Sequence, residues 1–261
     1  TVRLLRGVGI KAINLDLMYG LPHQSEADVR RTAELAASLD PSRLAIFGYA
    51  HVPWFKVHQK LIDAAALPGA AERIAQADAA RDTLVKLGYA AIGLDHFARP
   101  EDPMAVAAQS GTLRRNFQGY TTDQADALLP LGATSIGRLP QGYVQNASDV
   151  AGWRRAVNAG KLGVVRGVAF TDEDRARAAV IERLMCDFAV DYGTIAQAYL
   201  GRLEALDDAA ESLQGLVADG VVEVEGRSVA ITEQGKPFMR LAAAAFDSYL
   251  KAGAARHSVA V

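Results

Sequence analysis

Strand-like and helix-like segments alternate through the first third of this chain, and nothing else in the sequence restricts its fold as strongly. Ala12–Met18 reads as a strand that ends in Tyr19-Gly20-Leu21-Pro22. Ser25 then has N-cap chemistry, with Asp28 three residues on. Val29, Ala33, Ala36 and Leu39 follow at helical spacing and predict a helix to about Leu39. Leu44–Ala50 reads as the next strand, and Ala70–Leu87 as a helix closed by Gly88. Tyr89–Leu94 reads as a third strand and Ala133–Ile136 as a shorter fourth. Strand–helix–strand order of this kind predicts parallel βα units and an α/β fold. At the start, Val2–Val8 has no capping signal ahead of it and reads as the end of a helix already under way.

The pattern changes around Leu162–Ala169. Thr171, Asp172, Glu173 and Asp174 open a helix that is acidic in its first turn, as the helix dipole favours. Ile181, Leu184, Met185 and Phe188 give it one apolar face. Further helices are expected near Thr194–Tyr199 and over Asp207–Ala218. A hairpin of Val221–Glu225 and Ser228–Thr232 about Gly226 comes next, then a last helix over Pro237–Leu250. This order predicts a winged-helix-like module. The boundaries fall at residues 1–160 for the α/β part, 161–253 for the helical module and 254–261 for a disordered tail.

Charge and composition exclude several functions. The net charge of −2 gives no overall electrostatic footprint for nucleic acid. The would-be recognition helix carries Asp207, Asp208, Glu211 and Asp219 and no Lys or Arg, the wrong sign for phosphate. No apolar run has the roughly 18 residues needed to cross a bilayer. The lone cysteine, Cys186, rules out an intrachain disulfide framework and points to a reducing compartment, with the cytoplasm as the expected location. Between Glu182 and Asp187 it reads as a small buried residue, not a reactive thiol.

Chemistry-bearing residues concentrate in two places. Asn14 and Asp16 share one face near the C-terminal end of the first strand, where α/β folds put their sites. A buried strand would be apolar there, and an unpaired buried carboxylate is costly. The second place is Gly93–Thr122, which interleaves Arg99, Arg114, Arg115, His96, Asn116 and Gln118 with Phe97, Phe117 and Tyr120. Guanidinium forks match carboxylates and the rings can stack, so the segment suits a large, flat, acidic ligand. Arg114 and Arg115 are adjacent and face opposite ways, so one of them is expected to serve. His51, His58 and His96 include no close ligand pair of zinc type, and no metal site is expected.

The segments NLDLMYGLP (14–22), FGYAHVP (47–53), GYAAIGLDHFARPED (88–102) and RRNFQGYTT (114–122), with the helical module at 171–250, resemble oxygen-independent coproporphyrinogen III oxidase. This is a radical S-adenosylmethionine family of haem biosynthesis, and the likeness runs along essentially the whole chain. It implies a (β/α) partial barrel with a winged-helix-like domain. It also implies an enzyme that oxidatively decarboxylates two propionates of coproporphyrinogen III to vinyls, using S-adenosylmethionine and a [4Fe-4S] cluster. By that resemblance Asp16, Ala50 and Ile136 contact S-adenosylmethionine, with Gln118 a weaker candidate; Arg99, Arg115, His96 and Tyr120, read above from their chemistry, are expected to meet such a substrate. No catalytic residue is assigned.

The family's C-x3-C-x2-C cluster loop and first barrel strands are absent from the sequence. The chain is therefore expected to be a C-terminal part, inactive alone, whose partner is the N-terminal half of the same protein. A cut barrel has a bare strand edge, which predicts self-association or cover by the N-terminal segment. The competing expectation is a non-catalytic tetrapyrrole- or haem-binding module, for which His51 or His96 would be the axial ligand.

Overall fold

The computed structural model describes residues 1–250. Helix α1 (Val2–Gly7) has no buried residue and leads into strand β1 (Asn14–Tyr19). Helix α2 (Glu26–Ser38) opens on a reciprocal cap in which the Ser25 hydroxyl accepts from the Asp28 amide and the Asp28 carboxylate accepts from the Ser25 amide. Strand β2 (Arg43–Gly48) pairs parallel with β1 from Asn14↔Arg43 to Tyr19↔Gly48. Helix α3 (Ala70–Lys86) ends where Gly88 takes a φ of +87°, the left-handed turn that glycine tolerates.

The third expected strand departs from a plain βα repeat. Its ordered part is β3 (Ala90–Ile92), and β4 (His96–Ala98) folds back on it through Gly93, Leu94 and Asp95. Strand β4 inserts between β3 and β2 and runs antiparallel to both, giving the sheet order β1-β2-β4-β3. Gly93, at φ +58°, makes this reversal, and periodicity alone does not encode it.

One face of the sheet packs on α2 and α3. Tyr19, Leu44, Ile46 and Phe97 are buried there against Val29, Ala33, Ala36, Ala80 and Leu84. The other face is covered only at the β3–β4 side. Its cover is helix α4 (Pro103–Gln109) and the hairpin of β5 (Arg114–Asn116) with β6 (Gly119–Thr121). Ile92, Ala98, Met104, Leu113 and Tyr120 form the core beneath. Towards β1 the face is open, and Asn14, Asp16 and Met18 are exposed.

Residues expected as a short fourth barrel strand lie elsewhere. Strand β7 (Ile136–Leu139) starts an antiparallel sheet with β8 (Gly142–Asn146), then helix α5 (Val150–Asn158) and β9 (Val164–Ala169) follow. Leu139 pairs with Gly142 across a tight reversal, so the chain returns on itself and does not cross over to the first sheet. All six residues of β9 are exposed.

The helical module is built on α6 (Asp172–Asp187), capped by Thr171 with Asp174. It continues through β10 (Ala189–Asp191), α7 (Tyr192–Leu200), α8 (Asp207–Ala218), β11 (Val222–Glu225), β12 (Ser228–Ile231) and α9 (Met239–Ala244). Strands β11 and β12 form the expected hairpin about Gly226, and β10 adds an unforeseen third strand. Val180, Leu184, Leu213, Val229, Met239 and Phe246 are the centre of its core. The last helix is shorter than expected. It stops at Ala244 because Phe246 turns into the core and Asp247 caps the Tyr249 amide at 2.9 Å. The expected tail at 254–261 lies outside the described residues.

Candidate functional site

The sheet register brings the two sequence regions together. Asp16 pairs with Ala45, and Ala45 pairs with His96, so all three lie in one row on the partly open face. Strands stand about 4.8 Å apart, which puts Asp16 and His96 within roughly 10 Å across the sheet. Met18 pairs with Phe47 one step further along, on the same face. Asp16 is exposed, and its Oδ1 accepts from the Asn14 side-chain amide at 2.7 Å. Burial cost therefore does not apply to Asp16: β1 is the sheet edge, and the carboxylate is reachable instead of strained.

His96 is held on three sides. Its Nδ1 donates to Asp95 Oδ1 at 2.6 Å, and its side chain is 14% exposed. Its ring meets Tyr120 edge-on at 5.3 Å and Phe47 at 6.0 Å. Gly119 lies against Nε2 and Cε1, so the β5–β6 turn packs over the imidazole. Tyr120 is fixed by donating its hydroxyl to the Met185 carbonyl at 2.9 Å and accepting from the Leu94 amide at 3.2 Å. The Arg115 guanidinium stacks over the Tyr120 ring at 5.4 Å. Its Nε is buried without an acceptor. Arg114 turns the other way, to Gln124 and Glu182. Adjacent residues on a strand do face apart, and the one left with a free buried donor is Arg115.

Arg99 does not join this group. Because β4 runs antiparallel to β2, its end lies at the start of β2, where the Arg99 amide donates to the Ser42 carbonyl. The guanidinium pairs with Asp40 at 2.6 Å and covers the Tyr89 ring at 4.1 Å. The reversal at Gly93 sends Arg99, expected from its chemistry to meet substrate, to the far end of the sheet. Gln118 is exposed in the turn beside His96. Ala50 is exposed just past β2, its carbonyl accepting from the Gln59 amide at 3.0 Å. Ile136 is half-buried in β7, paired with Gln145, in a different sheet from Asp16.

A second concavity, of about 270 Å³, opens at the C-terminal ends of β1 and β2 on the α3 side. Gly48, Tyr49 and Ala50 form one wall, α3 another, and Lys236, Phe238 and Arg240 of the helical module the roof. Sequence reasoning missed it because Arg73 and Arg81 look like ordinary surface charges on α3. The usable signal was the pair Gly20 and Gly48, whose missing side chains leave room for Arg73. Among the described residues no group of three or more His, Cys, Asp or Glu side chains is placed to hold a metal ion. None of their helices is long and apolar enough to cross a membrane.

Burial pushes the Tyr120 hydroxyl up to about 12, against a smaller opposing pull from Arg115. Burial also pushes the Cys186 thiol up to about 12. Below about pH 8 both groups are largely neutral whether the chain is folded or not. Above it the unfolded chain sheds these protons first, Cys186 before Tyr120, so stability should fall as the pH rises from about 8 to about 12. Tyr120 alone should cost about 2 kcal/mol at the top of that range. Urea midpoints across that range should drop in wild type and less in Tyr120→Phe; equal drops would remove Tyr120 as the cause.

The HemN C-terminal domain model matches residues 170–238, which cover the helical module from the cap of α6 to the cavity roof. The oxygen-independent coproporphyrinogen III oxidase of Bradyrhizobium diazoefficiens is 48% identical over the whole of this chain, which covers 58% of that protein. The enzyme of the same name from Paracoccus denitrificans is 40% identical, again over the whole chain and 57% of the relative. A solved structure described as coproporphyrinogen III oxidase (HemN) from Escherichia coli, a radical SAM enzyme, superposes with a TM-score of 0.88 at 35% identity. That superposition covers 95% of this chain and 57% of the solved one. The chain is similar along its whole length to proteins named oxygen-independent coproporphyrinogen III oxidase. It spans little more than half the length of these relatives.

Proposed function

We propose that this chain is the C-terminal part of an oxygen-independent coproporphyrinogen III oxidase. In that reading the parent enzyme converts two propionates of coproporphyrinogen III to vinyls, giving protoporphyrinogen IX. The observation that carries the assignment to the sheet face is Arg115. Its guanidinium is stacked on Tyr120 and has a buried Nε without an acceptor. A substrate carboxylate satisfies that donor, and leaving it unmet costs about 1–3 kcal/mol. His96, fixed by Asp95, offers a second polar contact in the same row as Asp16.

S-adenosylmethionine supplies the radical that removes hydrogen from the propionate chain in this family. Asp16, exposed and steadied by Asn14, suits the cationic or hydroxyl groups of that cofactor. Ala50, Ile136 and Gln118 remain proposed contacts by resemblance. The [4Fe-4S] cluster finds no ligands here. Cys186 is the one cysteine, buried and with its thiol pushed up, so the cluster belongs to another part of the parent. The bare edge of β1 is where further barrel strands of the parent would pair, and alone it invites self-association. Helix α1, without a buried residue, does not provide the cover.

Titration of the chain with coproporphyrin III, the stable oxidised macrocycle, should give a saturable Soret shift. Arg115→Gln should weaken it at least tenfold, and Arg114→Gln less than twofold. An affinity unchanged by Arg115→Gln would remove the substrate assignment. Reconstitution with iron and sulfide should give no cluster absorbance on this chain, and a stable cluster spectrum would overturn the placement of its ligands elsewhere.

A further inference from the structure

The cavity between α3, the strand ends and the module roof carries an excess of positive charge that the protein itself does not neutralise. Arg73, Arg81, Lys236 and Arg240 line it, against Asp78 and Asp95. Lys236 is paired with Glu233 at 2.6 Å. Arg240 has only a loose contact, 3.6 Å from Asp95 Oδ2, while the other oxygen of Asp95 is taken by His96. No ion pair within 4.0 Å is made by Arg73 among the described residues. Its Nη1 donates to the Tyr49 carbonyl at 2.9 Å, and its Nε is buried with no acceptor.

The backbone is shaped around that guanidinium. A side-chain carbon on Gly48 would come within 2.9 Å of Arg73 Nη2, and one on Gly20 within 3.4 Å of Arg73 Cζ. Burial raises the Tyr19 hydroxyl, the Arg73 and Arg240 charges lower it, and Asp95 and Asp78 oppose them, so the hollow holds both signs of charge. A desolvated guanidinium donor without an acceptor is costly, and guanidinium groups lining one hollow suit an oxyanion.

We propose that this cavity is a binding site for a small anion carrying a phosphate or carboxylate group, gripped between Arg73 of α3 and Arg240 of the helical module. The volume, about 270 Å³, lies just under the range of drug-sized pockets and sets a small ligand. Because floor and roof come from the sheet end and from the module, the bound anion ties the two together. Arg115 and Tyr120 do not line the cavity, while His96 and Ala50, proposed above for substrate and cofactor, do.

Thermal unfolding of the chain with inorganic phosphate, and separately with succinate, tests this against sodium chloride of matched ionic strength. A saturable rise in Tm above the chloride control is expected with at least one of them. Phosphate alone would assign the phosphate class, succinate alone the carboxylate class, and both a general oxyanion site. Arg73→Gln and Arg240→Gln should each weaken the midpoint concentration at least tenfold. Arg240 is half exposed, so its variant keeps the fold even where Arg73→Gln does not. No saturable rise with either anion, or a rise retained in Arg240→Gln, overturns the proposal.

Discussion

Replacing Gly93 with alanine should unseat Tyr120 and cost about 3–5 kcal/mol, the range of severe core lesions. Two effects add. Gly93 has a φ of +58°, where an added side chain costs about 1–2 kcal/mol. The new methyl would also overlap the Cζ and hydroxyl of Tyr120. The ring is 7% exposed and cannot slide without losing its bonds to Met185 and Leu94. Tyr120→Phe separates the two effects. It removes the hydroxyl but keeps the ring, leaving the Leu94 amide and Met185 carbonyl unmet, for about 1–3 kcal/mol. Urea unfolding of both variants measures the ledger, and coproporphyrin III titration reads the site. Gly93→Ala should abolish the Soret shift that Arg115→Gln weakens. A Gly93→Ala variant within 1 kcal/mol of wild type would show that the hairpin yields by moving its backbone, and that Tyr120 does not depend on the glycine.

The same glycine marks the limit of what the sequence makes legible. Caps and periodicities are local, and they delivered α2, α3, α6 and α8 to within a residue or two. The pairing of β1 with β2 followed from the helix between them, since a crossover of that length returns a strand parallel. Tyr89–Leu94 had the composition of one more parallel strand, and nothing in its spacing announces that β4 inserts beside β2. That choice is made by a three-residue turn and by the Phe97 and Ala98 side chains, which find separate cores on opposite faces. Arg99 lies at the far end of the sheet as a consequence. Asp16, His96, Tyr120 and Arg115 were legible as an unusual set of residues, but their adjacency depends on register. The cation-lined cavity was not legible, because its roof and its wall are more than a hundred residues apart in the chain.

Phe246→Ala should be the other severe variant, at about 3–5 kcal/mol. The ring is fully buried and meets Tyr192 at a tilt of 55°, with centroids 5.5 Å apart. It belongs to the same core cluster as Leu184, Leu213 and Met239. Removing it leaves a hole that neither Tyr192 nor Met239 can fill without leaving a packed position, so the cavity term adds to lost transfer energy. The consequence extends past the module. Helix α9 packs on α6, and α6 gives Met185 to the module core on one side and Cys186 to the sheet core on the other. The Met185 carbonyl is also the acceptor that fixes Tyr120. Loosening Phe246 therefore reaches the sheet face through one helix. Hydrogen exchange should show faster opening of α6 and α9 in Phe246→Ala, and with it a weaker grip on Tyr120, read as a smaller Soret shift with coproporphyrin III. Exchange confined to α9, with the shift intact, would show that α6 is held by the sheet core alone and that the two cores fold independently.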